Sequence, residues 1–543
     1  MKPFQCRIFF FLLMLFVVSN VVAQRSGTDT SSAGKVIIIK EADRYNFQEK
    51  DSLGKFVSLG GHVFVQQGKT KMYADSIVLN QKDNILEAFG NVHINDADSV
   101  QIYSQYLKYL GKEKKAFLNQ TVKLTDGKGV LTTNQLEYDT QLKIGKYFQG
   151  GKLVNKKTVL TSDEGVYYGD TRDVFFRQHV FLNDPDYKIT SDTLLYNINT
   201  EITTFVSPSV VKNGKLTMKV KDGYYDLKKK SATFFKRPFI DDSTYTFTAD
   251  NMAFDDKSGL GEAQGNAVYK SKDSVGGYDI IANNIKTNKK TNSFLATQKP
   301  ILFIKQKADT IYVSADTLYS AKVSDLKKTR EIPSVREPAK ADTLKTVKVK
   351  TDSSNDRFFE AYYHVKIFSD SLQAVCDSLF YSLEDSTFRL LKDPVAWVQE
   401  NQITGDTLYL FVQNKKPERM YVFENAMAIS KESKDYFNQV RGNNMNAYFK
   451  DGKINFMKTK GSPADNVYYA VDDNKKFVGV NKSSSDVINV YFEDGKPKRV
   501  VFISNLEGTL YPMRQIDHES IKVRRFQWLD ERRPKTKLDI FVN

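Results

Sequence analysis

A short segment recurs along this chain about every 29 residues, and this repeat constrains the possible folds more than any other feature of the sequence. Most copies place Asp or Asn before alternating apolar residues, as in residues 74–79, 133–138 and 191–196. A period of roughly 20–50 residues is typical of repeat proteins, in which each unit buries its apolar face against its neighbours. The anchor positions of successive copies are Asp75, Gln105, Asn134, Asp163, Asp192, Asp222, Asp250, Asn283, Asp316, Asp377 and Asp406.

Each unit also has a second half, in which Asn or His precedes another alternating apolar stretch, as at Asn91, His179 and His364. Successive side chains of a strand point to opposite faces, so residues two apart share a face. The same rule predicts that Val395 and Trp397 face inward. Stacked units would align such residues into rows that form either a dry core or the walls of a lipid groove. The other positions predicted to face inward are Val92, Ile94, Val122, Leu124, Val180, Leu182, Leu194, Tyr196, Val365 and Ile367.

The composition favours strands over helices. Aromatic residues make up 13% of the chain, with 37 Phe, 29 Tyr and only 2 Trp, and they accompany abundant Val, Ile and Thr. β-branched and aromatic side chains fit the pleated, half-buried surface of a sheet. The sequence therefore predicts an all-β fold, an elongated twisted open β-jelly roll or β-solenoid-like array of two-strand repeats with a mid-chain linker.

The N-terminus predicts export. Two basic residues precede an apolar run at residues 8–18, which is too short to cross a membrane as a helix of about 20 residues. This pattern indicates a signal peptide over residues 1–23, cleaved between Ala23 and Gln24. After cleavage Cys376 is the only cysteine left, so the mature chain is expected to lack an internal disulfide.

The spacing of the anchors also predicts the domain organisation. The step from Asp316 to Asp377 exceeds one period by about the length of a charged stretch without aromatic residues. Such a stretch is typical of a flexible linker. A short helix is expected within residues 513–528. The predicted parts are a β-repeat domain at 36–320, a charged flexible linker or insertion at 321–356, a degenerate repeat region at 357–505, and a C-terminal cap and basic tail at 506–543.

The sequence contains no motif that predicts catalysis, a cofactor or a metal. Three of the five histidines, His62, His179 and His364, occupy the same repeat position as Asn91, which favours a structural, solvent-facing role. Zinc sites need a close set of Cys, His or carboxylate ligands, and none accompanies these residues. Adjacent carboxylates lie in turn-like stretches, and Cys376 lies in a predicted strand. We therefore expect a non-enzymatic protein without a cofactor.

The repeated (Ala/Ser)-Asp-x-Leu-x-Tyr half and the Ala-x-Gly-Asn-Val half, directly behind a signal peptide, resemble the OstA-like (organic solvent tolerance) superfamily. The superfamily includes periplasmic lipopolysaccharide-transport proteins of the LptA type and the N-terminal domain of LptD. The resemblance implies a periplasmic protein whose jelly roll holds the acyl chains of lipid A in an apolar trough, lined here by the ten inward positions from Val92 to Ile367 given above. It also implies assembly with other transport components, or with a second copy, through edge strands.

The residues alone leave two other function classes open. One is a structural or adhesive β-repeat protein at the cell surface, and the other is a polysaccharide-active β-solenoid enzyme. Loss of the two basic residues in the signal peptide lowers the formal net charge from +15 to +13 (15 − 2). A positive surplus favours anionic partners such as phosphorylated lipids, whereas nucleic acid is not expected outside the cytoplasm.

Overall fold

The computed structural model describes residues 36–50, 54–273, 277–305, 310–333, 356–413, 416–472, 474 and 476–541. The signal peptide over residues 1–23 and its cleavage site, Ala23–Gln24, lie outside these residues, and that prediction stays untested. None of the helices in the described part is long and apolar enough to cross a membrane.

Alternating apolar residues form antiparallel strands along the described chain, which confirms the all-β repeat fold. The first twenty are β1 Ile38–Glu41, β2 Arg44–Lys50, β3 Gly54–Gln67, β4 Thr70–Asn80, β5 Ile85–Asp96, β6 Val100–Leu110, β7 Lys115–Thr125, β8 Gly129–Asp139, β9 Ile144–Tyr147, β10 Gly151–Asn155, β11 Thr158–Ser162, β12 Glu164–Tyr168, β13 Asp173–Asn183, β14 Lys188–Asn197, β15 Ile202–Phe205, β16 Ser209–Asn213, β17 Leu216–Val220, β18 Asp222–Asp226, β19 Ser231–Phe235 and β20 Phe239–Asp241.

The remaining strands continue the same pattern, with one short helix between β28 and β29. They are β21 Tyr245–Thr248, β22 Asn251–Asp255, β23 Leu260–Ser271, β24 Tyr278–Asn288, β25 Ser293–Thr297, β26 Ile301–Lys305, β27 Thr310–Ser314, β28 Thr317–Ala321, the helix α1 Val323–Leu326, β29 Phe358–Phe368, β30 Gln373–Ser382, β31 Thr387–Leu391, β32 Val395–Val398, β33 Asn401–Thr404, β34 Thr407–Gln413, β35 Lys416–Lys431, β36 Phe437–Lys450, β37 Lys453–Val471, β38 Phe477–Glu493, β39 Lys496–Ile503 and β40 Glu507–Tyr511.

Contacts divide the chain into two units, Met1–Gln120 with Asp139–Gln141 and Thr121–Tyr138 with Leu142–Asn543. In the first unit, β3 pairs with β1, β2 and β4, and β4, β5 and β6 follow as a meander. Two buried rows cross these strands. One joins Leu59, Ile77, Ala88 and Leu107, and the other joins Val65, Met72, Ile94 and Ile102.

In the second unit, a bulge bends each long strand and divides its pairing between two ladders. In β13 the register shifts between Arg177 and Val180, so the first half pairs with β12 and the second half with β11. The same division recurs in β23, β29 and β35. We call the ladder that contains β12, β15, β18 and β19 ladder A, and the one that contains β11, β16, β17 and β20 ladder B. A bulge of this kind bends the strand and raises its twist.

Each ladder presents one continuous row of inward positions. In ladder A the row runs through Phe176, Leu194, Phe205, Gly223, Phe234, Met252, Ala263, Ile285, Ala296, Leu318, Ala361, Leu379 and Leu390. In ladder B it runs through Leu131, Leu153, Leu160, Leu182, Ile189, Val211, Met218, Ile240, Phe247, Tyr269, Ile280, Leu302, Val313, Ile367, Ala374, Ala396 and Ile403.

The predicted flexible linker at 321–356 is wrong for its first part. Residues 322–327 include α1, and Val323 is buried against Phe358 and Phe380 on the outer face of ladder A. Arg330 donates to Glu360 at 2.5 Å. The segment is polar overall, but its few apolar residues contact an outward aromatic pair that the repeat itself leaves uncovered. Residues 334–355 lie outside the described residues.

The predicted helix at 513–528 is also wrong, because this stretch forms turns and irregular backbone that lie against ladder B. We call residues 512–541 the C-terminal strap. Its apolar residues pack on Met427, Ile429 and Val467, and Leu529 packs on Val395 and Trp397.

Val395 and Trp397 therefore face the strap and not the interior, so the inward prediction for this pair is wrong. Their register explains the exception, because Val395 lies opposite Val375 and not opposite the inward Ala374. Both residues are fully buried all the same, because the strap covers the face on which they lie. From the alternation of apolar residues alone, a face covered by the strap cannot be distinguished from a face directed towards the interior.

Candidate functional site

The repeated Asp anchors and the His or Asn of the second half form hydrogen-bonded pairs at the bends. The carboxylate–nitrogen distance is 2.6 Å for Asp163 and His179, and 2.9 Å for Asp250 and Asn266. The same contact joins Asp43 to His62, Asp75 to Asn91, Asp316 to His364, Asp406 to Asn425 and Asp486 to Asn505 at 2.8–3.0 Å.

These pairs stabilise a strained backbone. His179 has a φ of 50° and Gln178 one of 59°, both in the left-handed region that costs L-residues energy. The three histidines are 80–88% exposed, which confirms their solvent-facing, structural placement. The Asp163 hydrogen bond and charge raise the pKa of His179 above its ordinary value, and Asp43 raises the pKa of His62 in the same way.

All ten positions predicted to line a lipid trough are buried, with exposed fractions of 0–3%. Val92 and Ile94 lie in the first unit, whereas Val180 and Leu182 lie on the interior of the second. Their neighbours fill the space around them, so at these positions the interior is packed core. The role of the ten residues as lipid contacts stays a prediction.

The interior opens further along the second unit, between the inner rows of β16 to β25. A cavity of about 580 Å³ lies there, within the size range of roughly 300–1,000 Å³ that is typical of ligand pockets. Its walls are apolar and aromatic, and they come from both ladders. They include Met218, Phe234, Ile240, Phe247, Ile280, Ile285 and the rings of Tyr187, Tyr225, Tyr245, Tyr269 and Tyr278.

Polar contacts bridge the free edges of the two ladders on the N-terminal side of this cavity. Each contact joins a turn of ladder A to a turn of ladder B. Arg172 lies 3.4 Å from Asp126, Lys156 lies 2.5 Å from Glu201, and Lys230 lies 2.7 Å from Asp186. The last bridge in this series is the hydrogen bond from the Tyr187 hydroxyl to Asp256. Tyr187, Lys230 and Asp256 also line the cavity, so the bridged edge ends at its wall.

Burial and the Asp256 carboxylate together hold the pKa of Tyr187 well above its ordinary value. The hydroxyl therefore stays protonated and can donate to Asp256 at physiological pH. The bridge is a neutral donor to a charged acceptor, which is a stronger class of hydrogen bond than a neutral pair.

Aromatic rings close the C-terminal side of the cavity. The ring centroids of Tyr278 and Phe359 are 5.0 Å apart in an edge-on contact, and Phe294 lies 6.2 Å from Phe359. Tyr381 and Phe388 continue this filling with centroids 4.0 Å apart. Beyond this point the inward side chains of Leu379, Leu390 and Ile403 are buried.

The mouth of the cavity carries four cations, Lys215, Lys230, Lys289 and Arg357. Lys230 is paired with Asp186, as described above. Arg357 donates to Ser320 Oγ at 3.0 Å, and to the carbonyl and side-chain oxygens of Asn292 at 3.1 and 2.8 Å. Within the described ranges, Lys215, Lys289 and Arg357 form no salt bridge.

None of the ten positions predicted to line a lipid trough lines this cavity. The alternation of the sequence runs through residues 216–218, 245–247 and 278–280 as it does elsewhere, so the periodic signal at the cavity equals that at the packed core. The distance between two sheets is not encoded by periodicity. Among the described residues, no group of three or more His, Cys, Asp or Glu side chains is placed to hold a metal ion.

Residues 34–192 match the family model described as OstA-like protein. Among solved structures, LptH of Pseudomonas aeruginosa, described as the LptA homologous periplasmic component of the conserved lipopolysaccharide transport device, is 22% identical over 21% of this chain and 84% of its own, with a TM-score of 0.19. The WD40 domain of SCAP from fission yeast is 11% identical over 77% of this chain and 87% of its own, with a TM-score of 0.09. TM-scores this low carry no argument. No curated protein sequence matches the chain.

The family match begins before β1 and ends within β14, so it covers the first unit and the adjoining strands of the second. These strands carry the anchor and bend motif from which the resemblance was drawn. Residues 34–192 of this chain are therefore similar to OstA-like proteins, in agreement with the resemblance of the repeated motif.

Proposed function

We propose that this protein is a non-enzymatic periplasmic carrier that binds the acyl chains of lipopolysaccharide in its interior and acts in lipopolysaccharide transport and outer-membrane assembly. The observation that carries the proposal is the apolar cavity between the two inner rows, in a chain whose N-terminal repeats match the OstA-like model. We further propose that other transport components, or a second copy, join it through edge strands.

The physical basis is the burial of hydrocarbon. Each methylene of an acyl chain that leaves water contributes about 0.8 kcal/mol to the free energy of binding, so the burial of several methylenes gives useful affinity. The cavity supplies apolar and aromatic side chains from both ladders, which suits a hydrocarbon chain without hydrogen-bonding atoms.

The packed interior at the ten predicted trough positions supports the alternative, a structural β-repeat protein. A filled core needs no ligand, and side chains such as Leu182 and Leu194 are fully buried by their neighbours. A carrier is expected to hold lipid in the cavity in living cells, whereas a structural protein is not. A test for lipid at the cavity therefore separates the two functions.

The test places a photo-crosslinking residue at single positions of β17 and β13 in living cells. Met218 lines the cavity, its neighbour Lys219 is exposed on the opposite face of the same strand, and Val180 is buried outside the cavity lining. We expect lipopolysaccharide adducts at Met218 and none at Lys219. Adducts at Val180 would extend the lipid path beyond the cavity.

Equal labelling of Met218 and Lys219, or no adduct at Met218 in a folded and exported protein, would contradict the transport function and leave the structural alternative. Mass spectrometry of the purified protein gives an independent readout, because a carrier is expected to retain bound lipid.

A further inference from the structure

We propose that Arg357, together with Lys289 and Lys215, forms a binding site for the phosphate group of an acyl lipid at the mouth of the cavity. This inference rests on the proposed lipid-binding function and adds the chemistry of the head group. It concerns three side chains of the second unit that line one cavity.

The first argument is the unused hydrogen-bonding capacity of Arg357. A guanidinium has five N–H donors. Three are used in the contacts to Ser320 and Asn292 described above, all with neutral acceptors. The remaining two have no acceptor among the described residues. Those contacts hold the guanidinium in place, and its carbon lies 5.8 Å from the centroid of the Tyr278 ring on the cavity wall.

The second argument is the state of the nearby carboxylates. Asp255 accepts from the backbone N–H groups of Ser258 and Lys257, which lower the pKa of its carboxyl. Asp256 accepts from Tyr187, and Asp242 accepts from the backbone and hydroxyl of Thr244. The acidic residues that line the cavity are thus engaged locally, and none neutralises Arg357 through a salt bridge within the described part of the chain.

The third argument is placement. Arg357 is hydrogen-bonded to Asn292, which lies in the same turn as Lys289. Lys289 and Arg357 therefore both lie at the ladder A edge of the mouth. Lys215 lies in the turn between β16 and β17 on the ladder B edge. The polar bridges described above end at Tyr187 and Asp256, so these three cations flank the part of the mouth where the bridged edge has ended.

A phosphate monoester fits this arrangement better than a neutral head group. Its oxygens accept two parallel N–H bonds from a guanidinium, and its charge of nearly −2 at neutral pH suits more than one cation. The acyl chain attached to it would extend into the apolar depth of the cavity. The ligand class is therefore a phosphorylated acyl lipid.

The test is calorimetric titration of the purified, delipidated full chain with three probes. The two amphiphiles are used below their critical micelle concentrations. Dodecyl phosphate carries both chain and anion, dodecyl maltoside carries the same chain with a neutral head, and inorganic phosphate carries the anion alone. We expect the wild type to bind dodecyl phosphate about tenfold or more tighter than dodecyl maltoside, the scale of one charge-assisted hydrogen-bonded pair.

Arg357→Gln and Lys289→Gln are expected to reduce that preference by about tenfold and about threefold, respectively, because each removes one cation from the head-group site. The matched control is Lys290→Gln, in the same turn but outside the cavity lining. Lys289→Gln removes no salt bridge seen among the described residues, so it keeps the test valid if Arg357→Gln fails to fold.

Three outcomes would overturn the inference. An unchanged preference in both variants, with both amphiphiles still bound, removes the head-group site and leaves the lipid-binding function standing. Arg357-dependent binding of inorganic phosphate as tight as that of dodecyl phosphate indicates a free-anion site. Failure of both amphiphiles to bind removes the proposed function itself.

Discussion

At the scale of single residues, the hydrogen bond between the Asp anchor and its His or Asn partner explains why these residue types recur at the two positions of each repeat. Most of the bends contain two consecutive residues with positive φ, a conformation that Gly and Asn adopt more readily than other residues. The opposite strand supplies one Asp whose carboxylate accepts from the second of these residues. Gly90 and Asn91, opposite Asp75, are the clearest case.

Gly90→Ala is expected to destabilise the first unit more than Gly68→Ala does. Both glycines have positive φ, 74° and 60°, so both alanines incur roughly 1–2 kcal/mol of backbone strain. Only at Gly90 would the new Cβ lie 2.3 Å from an Asp75 oxygen, which must move and release Asn91 at a further cost of about 1 kcal/mol. Chemical denaturation measures the difference. Equal losses of stability would contradict the role of Asp75.

His179 is expected to titrate above 6.5, and Asp163→Asn should lower its pKa towards that value. Because the pKa is raised in the folded state, the stabilisation by the pair is present in full below pH 6.5 and is lost as the pH rises through the folded pKa. NMR titration of the imidazole gives the value, with Asp170→Asn as a control. A pKa that Asp163→Asn leaves unchanged would contradict the pairing.

At the scale of elements, two segments outside the repeat cover outward faces of the ladders. α1 and its flanking residues cover part of ladder A, and the C-terminal strap covers part of ladder B. Buried glutamines tie the strap to the strands. Gln402, which is 1% exposed, donates to the carbonyl of Gln527 and accepts from the N–H of Leu529, each at 2.7 Å.

Gln402→Leu is expected to loosen the strap. It leaves one backbone carbonyl and one N–H of the strap without their partner, at a cost of about 1–3 kcal/mol for each group that stays buried. Limited proteolysis should then cut within residues 512–541 earlier than in the wild type. The control is Gln515→Leu, on an exposed position of the strap itself. Equal cleavage rates in the two variants would show that Gln402 does not hold the strap.

At the scale of the whole molecule, the interior is not uniform. Most of the second unit is packed core, and the cavity lies between a polar-bridged stretch and an aromatic cluster. Close packing is the default state of a protein interior, so an apolar space of this size has a cost in stability unless a ligand fills it.

Ile240→Trp is expected to reduce lipid binding without unfolding the protein, because the larger ring can occupy existing space. Ile240 lines the cavity, whereas Leu160 lies in the same ladder B row where the interior is packed. Leu160→Trp should instead cost about 1–3 kcal/mol of stability through overpacking. Thermal unfolding and calorimetry with dodecyl maltoside measure the two effects. Full lipid binding by a folded Ile240→Trp protein would place the ligand elsewhere.

The sequence by itself determined the fold class, the repeat and the inward face of most strands. Those features follow from local rules, because alternation fixes which side of a strand is apolar, and Gly-Asn or an equivalent pair fixes where it bends. The Asp anchors and the position of His179 were visible in the same way. The hydrogen bond between them required the strands to be aligned in space.

Only the tertiary structure decided where the interior opens and what covers the outward faces. Val323 is buried against Phe358 and Phe380, on a face of ladder A that alternation assigns to solvent. Trp397 is covered by the C-terminal strap, which is distant in sequence. Their environments therefore depend on which distant segment packs against them. The cavity depends on the separation of two ladders and on the volumes of many side chains at once. Arg357 joins that site only because β29 begins beside the turn that contains Asn292.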